Sequence, residues 1–188
     1  MNRYLYPVLL LTSLSWHVYA DGNTDHWNFK VYLDDTPVGF HNFTIEGDAK
    51  EKRSKSVARF DVDFLTFNAY SYRHESNEQW NGDCLTEINA STDDNGEKFS
   101  VQGKTVQANF HLTTNNGQSQ LPTCVMTFAY WNPEMLQQKR LLNPQDGKYA
   151  DVEIKQIGQD AIKVKGENIS ASHYRVKTEK FLDRKSVV

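Results

Sequence analysis

The feature that most constrains the fold is a residue alternation with a period of two, which recurs along the chain between turn signals. In the clearest example, residues 58–64 (ARFDVDF), apolar side chains alternate with charged ones. Such alternation is typical of a β-strand with one face buried and the other in water. Turn residues separate these segments at short intervals, and Asn81-Gly82 is the strongest hairpin signal among them. The pattern therefore predicts consecutive antiparallel hairpins.

Between the turn signals lie about eight to ten strand segments and one short helix. Asn132, Pro133 and Glu134 suit the N-cap and first turn of a helix, and Asn143-Pro144 stops it. No alternation of strands with long helices occurs, so a parallel sheet is excluded. We therefore predict an all-β fold: an antiparallel meander that forms a barrel or a strongly curved half-barrel, with one short helix near residues 132–140. An open sandwich is the alternative.

The N-terminal residues 1–20 have the pattern of a secretory signal peptide. Arg3 precedes an apolar run, residues 4–14, and Val18 and Ala20 are the small residues at the two positions that a signal peptidase reads. The run is shorter than the about twenty residues that a membrane-spanning helix needs. We predict cleavage after Ala20, a periplasmic location, no transmembrane segment in the mature chain, and one domain over residues 21–188.

Charge and cysteine content narrow the function classes. The formal net charge is −3, and no stripe of Lys and Arg interleaved with aromatics occurs, which argues against a nucleic-acid partner. The chain has two cysteines, Cys84 and Cys124, and neither has a C-x-x-C partner. In an exported protein such a pair predicts one structural disulfide rather than redox catalysis or structural zinc.

The sequence nominates no catalytic residue, metal ligand or cofactor. No G-x-S-x-G motif and no H-x-H or H-E-x-x-H spacing occurs. Asp61 and Asp63 share a strand face, but their apolar neighbours place that face in solvent. Histidines could still converge across strands, which keeps an enzyme open as the third hypothesis. The mature chain has five of them: His26, His41, His74, His111 and His173.

Aromatic and polar side chains share a face on the long predicted strand, residues 69–80, where Glu78 joins them. This mixture is unusual for a dry core and suits a cavity that offers a few polar contacts. The alternative is that the same side chains are ordinary packing or an outward aromatic ladder. The candidate ligand-binding residues are Tyr70, Tyr72, His74, Trp80, Met126, Phe128 and Tyr130.

Three blocks of the sequence, residues 25–45, 78–96 and 121–147, together resemble an uncharacterised family of bacterial exported proteins, a domain of unknown function. The resemblance covers nearly the whole mature chain, and the third block is its most distinctive part. It implies a bacterial, periplasmic setting and brings no catalytic residues. The opening strand pair, which turns near Pro37-Val38-Gly39, looks more loosely like periplasmic β-barrel proteins, some of which hold lipids.

From these observations we predict a periplasmic protein that binds an apolar or amphipathic molecule, such as a lipid. The first alternative is a non-catalytic protein-interaction or envelope-assembly module that acts through its surface and sheet edge. Such a module should expose an apolar patch around residues 131–142. The short helix within that range can be a lid, a docking element or a plug at the end of the barrel.

Overall fold

The computed structural model describes residues 23–64, 67–164, 166–178 and 182–187. The predicted signal peptide and its cleavage site lie outside the described residues. Among the described residues, the model has no helix that is long and apolar enough to cross a membrane.

The first eight strands pair antiparallel in chain order. Strands β1 and β8 each pair on one side only, so this sheet is open within the described ranges. The predicted meander is confirmed, but closure into a barrel is not found. β8 has five residues against eleven in β1, so it offers few groups for closure. The strands are β1 (Asn23–Leu33), β2 (Thr36–Gly47), β3 (Glu51–Phe64), β4 (Phe67–Asn81), β5 (Cys84–Asp94), β6 (Glu97–Val106), β7 (Asn109–Thr114) and β8 (Gly117–Leu121).

A second antiparallel sheet follows, in the order β12-β11-β10-β9. Its strands are β9 (Arg140–Leu142), β10 (Tyr149–Val164), β11 (Glu167–Thr178) and β12 (Leu182–Val187). Between β8 and β9 lies a 3₁₀ helix, Pro133–Gln137, whose N-cap Asn132 accepts a hydrogen bond from the Glu134 amide at 3.0 Å. The helix is shorter than predicted because Gln138 is already extended.

The register of β3 to β7 divides the inner face of the first sheet into two parts. One cross-strand row runs Ser54, Glu78, Ile88, Gly103 and Leu112. Side chains in such a row point to the same face. In this row the face is therefore polar on β3 and β4 and apolar from β5 to β7.

The apolar part forms the core. It is closed by the segment 121–149, in which Val125, Met135 and Leu141 are buried against β5 to β7. The Leu85 amide bonds to the Val125 carbonyl at 2.9 Å. The predicted Cys84–Cys124 disulfide is confirmed, one residue away from that bond on each chain segment. The most deeply buried large side chains are Phe110, Leu85, Ile88, Met135, Leu141, Leu142, Val101 and Val125.

Gly103 is expected to tolerate no larger residue. A Cβ there would lie 2.3 Å from the Phe110 ring and 3.1 Å from Ile88. Gly103→Ala should therefore lower the free energy of unfolding by about 1–3 kcal/mol, the usual effect of overpacking a core. Gly158→Ala is the matched control, since nothing lies within 4 Å of its Cβ. Urea denaturation of the two variants checks this; equal stabilities would contradict the packing described.

Candidate ligand-binding cavity

The polar part of the inner face borders a cavity of about 450 Å³. Strands β2, β3 and β4 form one wall, and residues 127–131 and 143–145 form the other, with two residues of β11. A larger depression, about 850 Å³, lies near the β2–β3 turn and is lined mostly by exposed or half-buried charged and polar side chains. The smaller cavity is lined by His41, Phe43, Ser54, Ser56, Ala58, Phe60, Tyr72, His74, Ser76, Glu78, Thr127, Phe128, Ala129, Tyr130, Trp131, Asn143, Pro144, Gln145, Val176 and Thr178.

One end of the cavity lining holds the Glu78 carboxyl, which is only 7% exposed. The Ser54 hydroxyl, directly opposite on β3, donates to Oε2 at 3.0 Å, and the Ser76 hydroxyl donates to Oε1 at 3.1 Å. Thr127 donates from the covering segment at 3.5 Å. Trp80 Nε1 in turn donates to the Ser54 oxygen at 3.1 Å. The carboxyl is therefore held by hydroxyl donors from both walls.

Burial raises the pKa of Glu78 from its ordinary value of 4.5 to about 7. The hydroxyl donors act in the opposite direction, because hydrogen bonds to a carboxylate favour its charged form. Desolvation is the larger effect, since the group lies inside the fold. Glu78 therefore changes charge near neutral pH, which an exposed glutamate does not do.

His74 is a second buried polar group on the same strand face. Its Nδ1 lies 2.9 Å from the Thr92 hydroxyl, and that hydroxyl donates to the Gln145 carbonyl at 3.0 Å. Because the hydroxyl proton is used there, Nδ1 must be the donor toward Thr92. Burial lowers the pKa of His74 from 6.5 to about 4. The imidazole is therefore neutral at pH 7.

Aromatic rings line both walls of the cavity. Phe60 and Tyr72 stack at 5.1 Å between ring centroids, and Gln145 donates a hydrogen bond to the Tyr72 hydroxyl. Phe128 and Tyr130 lie 6.3 Å apart on the covering segment. The cavity lining therefore combines a polar end at Glu78 with aromatic rings on both walls.

The aromatic surface continues onto the edge strand β1. Phe29 packs edge-to-face against Phe43 with ring centroids 6.2 Å apart. Phe29 is 51% exposed, and Trp27, which pairs with Phe43 in the register, is 38% exposed. Apolar surface that is exposed next to a cavity is typical of a site where a ligand or a partner docks.

The structure brings four of the seven candidate ligand-binding residues to this cavity: Tyr72, His74, Phe128 and Tyr130. Trp80 and Met126 lie instead in the core, and Tyr70 donates to Asp94 at 2.7 Å outside the cavity lining. The predicted shared face of β4 is present, since its residues from 72 to 80 alternate between buried and less buried.

The prediction that Met126 lines the cavity assumed that residues 125–127 alternate between two faces of a strand. These three consecutive residues are instead all buried, and successive residues of a strand cannot share one face. The alternation along β4 predicts that Glu78 lies on this face, but Glu78 is not among the candidate ligand-binding residues, and neither are Ser54 and Thr127. Serines at inward positions of a strand, where apolar residues are usual, were the available signal for Ser54. Thr127 comes from an irregular segment, for which the sequence carries no such signal.

The ionisable groups of the cavity lining lie too far apart along the sheet for direct proton transfer between them. His41 and His74 share a cross-strand row with Ala58 between them, a separation of about 10 Å. Glu78 is four residues further along β4, about 13 Å from His74. Asp61 and Asp63 are exposed, as predicted. Among the described residues, no three His, Cys, Asp or Glu side chains converge as a metal site.

The fold and the site together define a class: an all-β protein with an open antiparallel sheet and an amphipathic cavity under one half of it. The chain belongs to a family described as a domain of unknown function (DUF6134), whose model matches residues 29–187. This match confirms the resemblance to an uncharacterised family. Searches of the curated proteins and of the solved structures found no significant match.

Proposed function

We propose that this protein binds an amphipathic small molecule, such as a lipid, in the cavity beneath β2 to β4. The observation that carries the proposal is a cavity of about 450 Å³ whose lining combines a buried, hydroxyl-bonded carboxyl at one end with aromatic rings on both walls. Cavities of about 300–1,000 Å³ with apolar walls and a few placed polar groups are typical small-molecule sites.

The position of Glu78 supports binding over plain packing. Burying an ionisable carboxyl costs stability, and a Leu or Val at this position of β4 would avoid that cost. The same row of the sheet carries Ile88 and Leu112 on β5 and β7, where the face is simply core. Perturbed ionisable groups in clefts are concentrated at functional sites.

The proposal includes a half-barrel form of the first sheet and export to the periplasm with cleavage after Ala20. Side chains from three adjacent strands line one cavity, which a sheet curved around a ligand would produce. The Cys84–Cys124 disulfide supports an oxidising compartment.

Filling the cavity should weaken binding. Ser56 lines it from β3, so Ser56→Phe places a ring in the space that a ligand would occupy. We expect at least about tenfold weaker binding of the apolar fluorescent probe N-phenyl-1-naphthylamine, and loss of any co-purified lipid in native mass spectrometry. The same spectra report the mass of the exported chain and hence its cleavage site.

The matched control is Ser91→Phe, which adds the same ring on the exposed outer face of β5. It should bind the probe as the unmodified protein does. If both variants keep full probe binding with an unchanged fold, the cavity is not the binding site.

A protein partner at the exposed edge of β1 is the second candidate function. Trp27 and Phe29 are exposed on a strand whose outer edge is free for pairing within the described sheet. The segment 131–142 fits this role less well, because Met135, Leu141 and Leu142 are buried in the core. If native mass spectrometry shows the protein without a ligand, and no lipid can be extracted from it, the exposed edge of β1 becomes the favoured functional surface.

A further inference from the structure

We propose that the cavity selects amphiphiles whose polar end is cationic, a primary ammonium group that pairs with the Glu78 carboxylate. This inference rests on the proposed function, and it adds the charge of the ligand. The observations that carry it are the chemistry of the residues that line the cavity with Glu78 and the contacts of Lys52, a lysine on the same face of β3.

The cavity lining includes an acidic side chain but no permanently cationic one. Glu78 is the one carboxyl among them, and the set contains neither Lys nor Arg within the described residues. A phosphate or carboxylate head group would meet a buried anion without a cation to balance it. An ammonium group would instead supply the opposite charge that Glu78 lacks inside the cavity.

Lys52, which also points to this face from β3, is directed elsewhere. Its Nζ donates to the Gly82 carbonyl at 3.1 Å and lies 3.6 Å from an Asp83 carboxylate oxygen. It also stands 5.9 Å from the centre of the Trp131 ring. The hydrogen bonds to the Glu78 carboxylate come from neutral donors, three hydroxyl groups and the Trp80 indole, which orient it without neutralising it.

The aromatic rings of the cavity lining give a second reason to expect a cationic ligand. Cations are attracted to the faces of aromatic rings, most strongly where water is excluded. Phe60, Tyr72, Phe128, Tyr130 and Trp131 line the same cavity as Glu78. An alkyl chain attached to the ammonium group would then lie along these rings, toward Phe29 and Trp27 at the edge strand.

The test compares decylamine, decanol and decanoate, which share one chain length and differ in head-group charge, by calorimetric titration at pH 6 and pH 8. With a pKa of about 7, Glu78 is about one-tenth ionised at pH 6 and nine-tenths ionised at pH 8. Decylamine stays protonated over this range. Its affinity should therefore rise about tenfold from pH 6 to pH 8 and should exceed that of decanol and decanoate.

Two variants test whether the rise in decylamine affinity with pH comes from Glu78. Glu78→Gln keeps the shape and should remove both the preference for decylamine and its pH dependence. The other titratable or charged groups on this face of the sheet or in the cavity lining are His41, His74, Lys52, Asp25, Asp94, Glu97 and the tyrosines. His74 stays neutral over the tested range because its pKa is about 4. His41→Gln should keep the rise.

The outcomes separate the two levels of the proposal. If decanol or decanoate binds as tightly as decylamine, and Glu78→Gln binds as the unmodified protein does, the cavity binds amphiphiles and the inference about charge is overturned. If none of the three binds at either pH, the proposed function is overturned together with this inference. A rise that persists in Glu78→Gln would also overturn it.

Discussion

Replacing both cysteines with serine (Cys84→Ser with Cys124→Ser) is expected to lower the free energy of unfolding by about 4 kcal/mol. The disulfide joins residues 40 positions apart, and cross-linking a loop of that length removes this much chain entropy from the unfolded state. Cys124 is exposed and Cys84 is half-buried, so serine fits both positions in the folded state. Urea denaturation of the oxidised protein and of the double variant measures the difference.

In the double variant, the region around the missing disulfide should open more readily than the rest of the fold. The disulfide lies next to Leu85 and Val125, which are fully buried and joined by a backbone hydrogen bond. Without it, the segment that covers the core is held to β5 by non-covalent contacts alone. Hydrogen exchange should therefore accelerate first at the Leu85 amide, before exchange in β3 and β4. A double variant as stable as the oxidised protein, with the same exchange pattern, would contradict this role.

The first sheet could be predicted from the sequence because its signals are local. Alternation in β3 and the Asn81-Gly82 turn each specify a strand or a hairpin within a few residues. The register between neighbouring strands follows from such turns, and it places Tyr72, His74 and Glu78 on one face. The disulfide was predictable for a different reason, since a chain with two cysteines allows only one pairing within the chain.

The covering segment could not be predicted in the same way. Residues 125–131 have strand-like composition, but tertiary contacts hold them as an irregular chain with two isolated β-bridges. Val125, Met126 and Thr127 are therefore buried together, which placed Met126 in the core and brought Thr127 to Glu78. A cavity formed between a sheet and such a segment depends on packing over long sequence distances, which local periodicity does not encode.

The Glu78→Gln variant is expected to be more stable than the unmodified protein at pH 8 by about 3 kcal/mol and no more stable at pH 4.5. The pKa of Glu78 is raised from 4.5 to about 7 in the folded state. The neutral acid is therefore favoured by folding, and its contribution is fully present below pH 4.5 and lost as the pH rises through 7. A shift of this size corresponds to about 3 kcal/mol.

His74 makes the opposite contribution, and the variant should reveal it. Its pKa falls from 6.5 to about 4 on folding, so the stability it contributes is present above pH 6.5 and is lost as the pH falls toward 4. Between pH 4.5 and pH 6.5 the two groups offset each other in the unmodified protein. Glu78→Gln should therefore lose stability steadily with acidification over this range, where the unmodified protein changes little.

Urea denaturation of both proteins at half-unit intervals from pH 4.5 to pH 8 tests this. Glu75→Gln is the control, because Glu75 is an exposed neighbour on β4 that pairs with Lys55 at 2.8 Å. Removing such a surface pair should change stability little at any of these pH values. If Glu78→Gln is instead the less stable protein at pH 8, the hydroxyl groups of Ser54, Ser76 and Thr127 stabilise the carboxylate by more than its burial costs. The cavity would then hold a charged Glu78 throughout the neutral range.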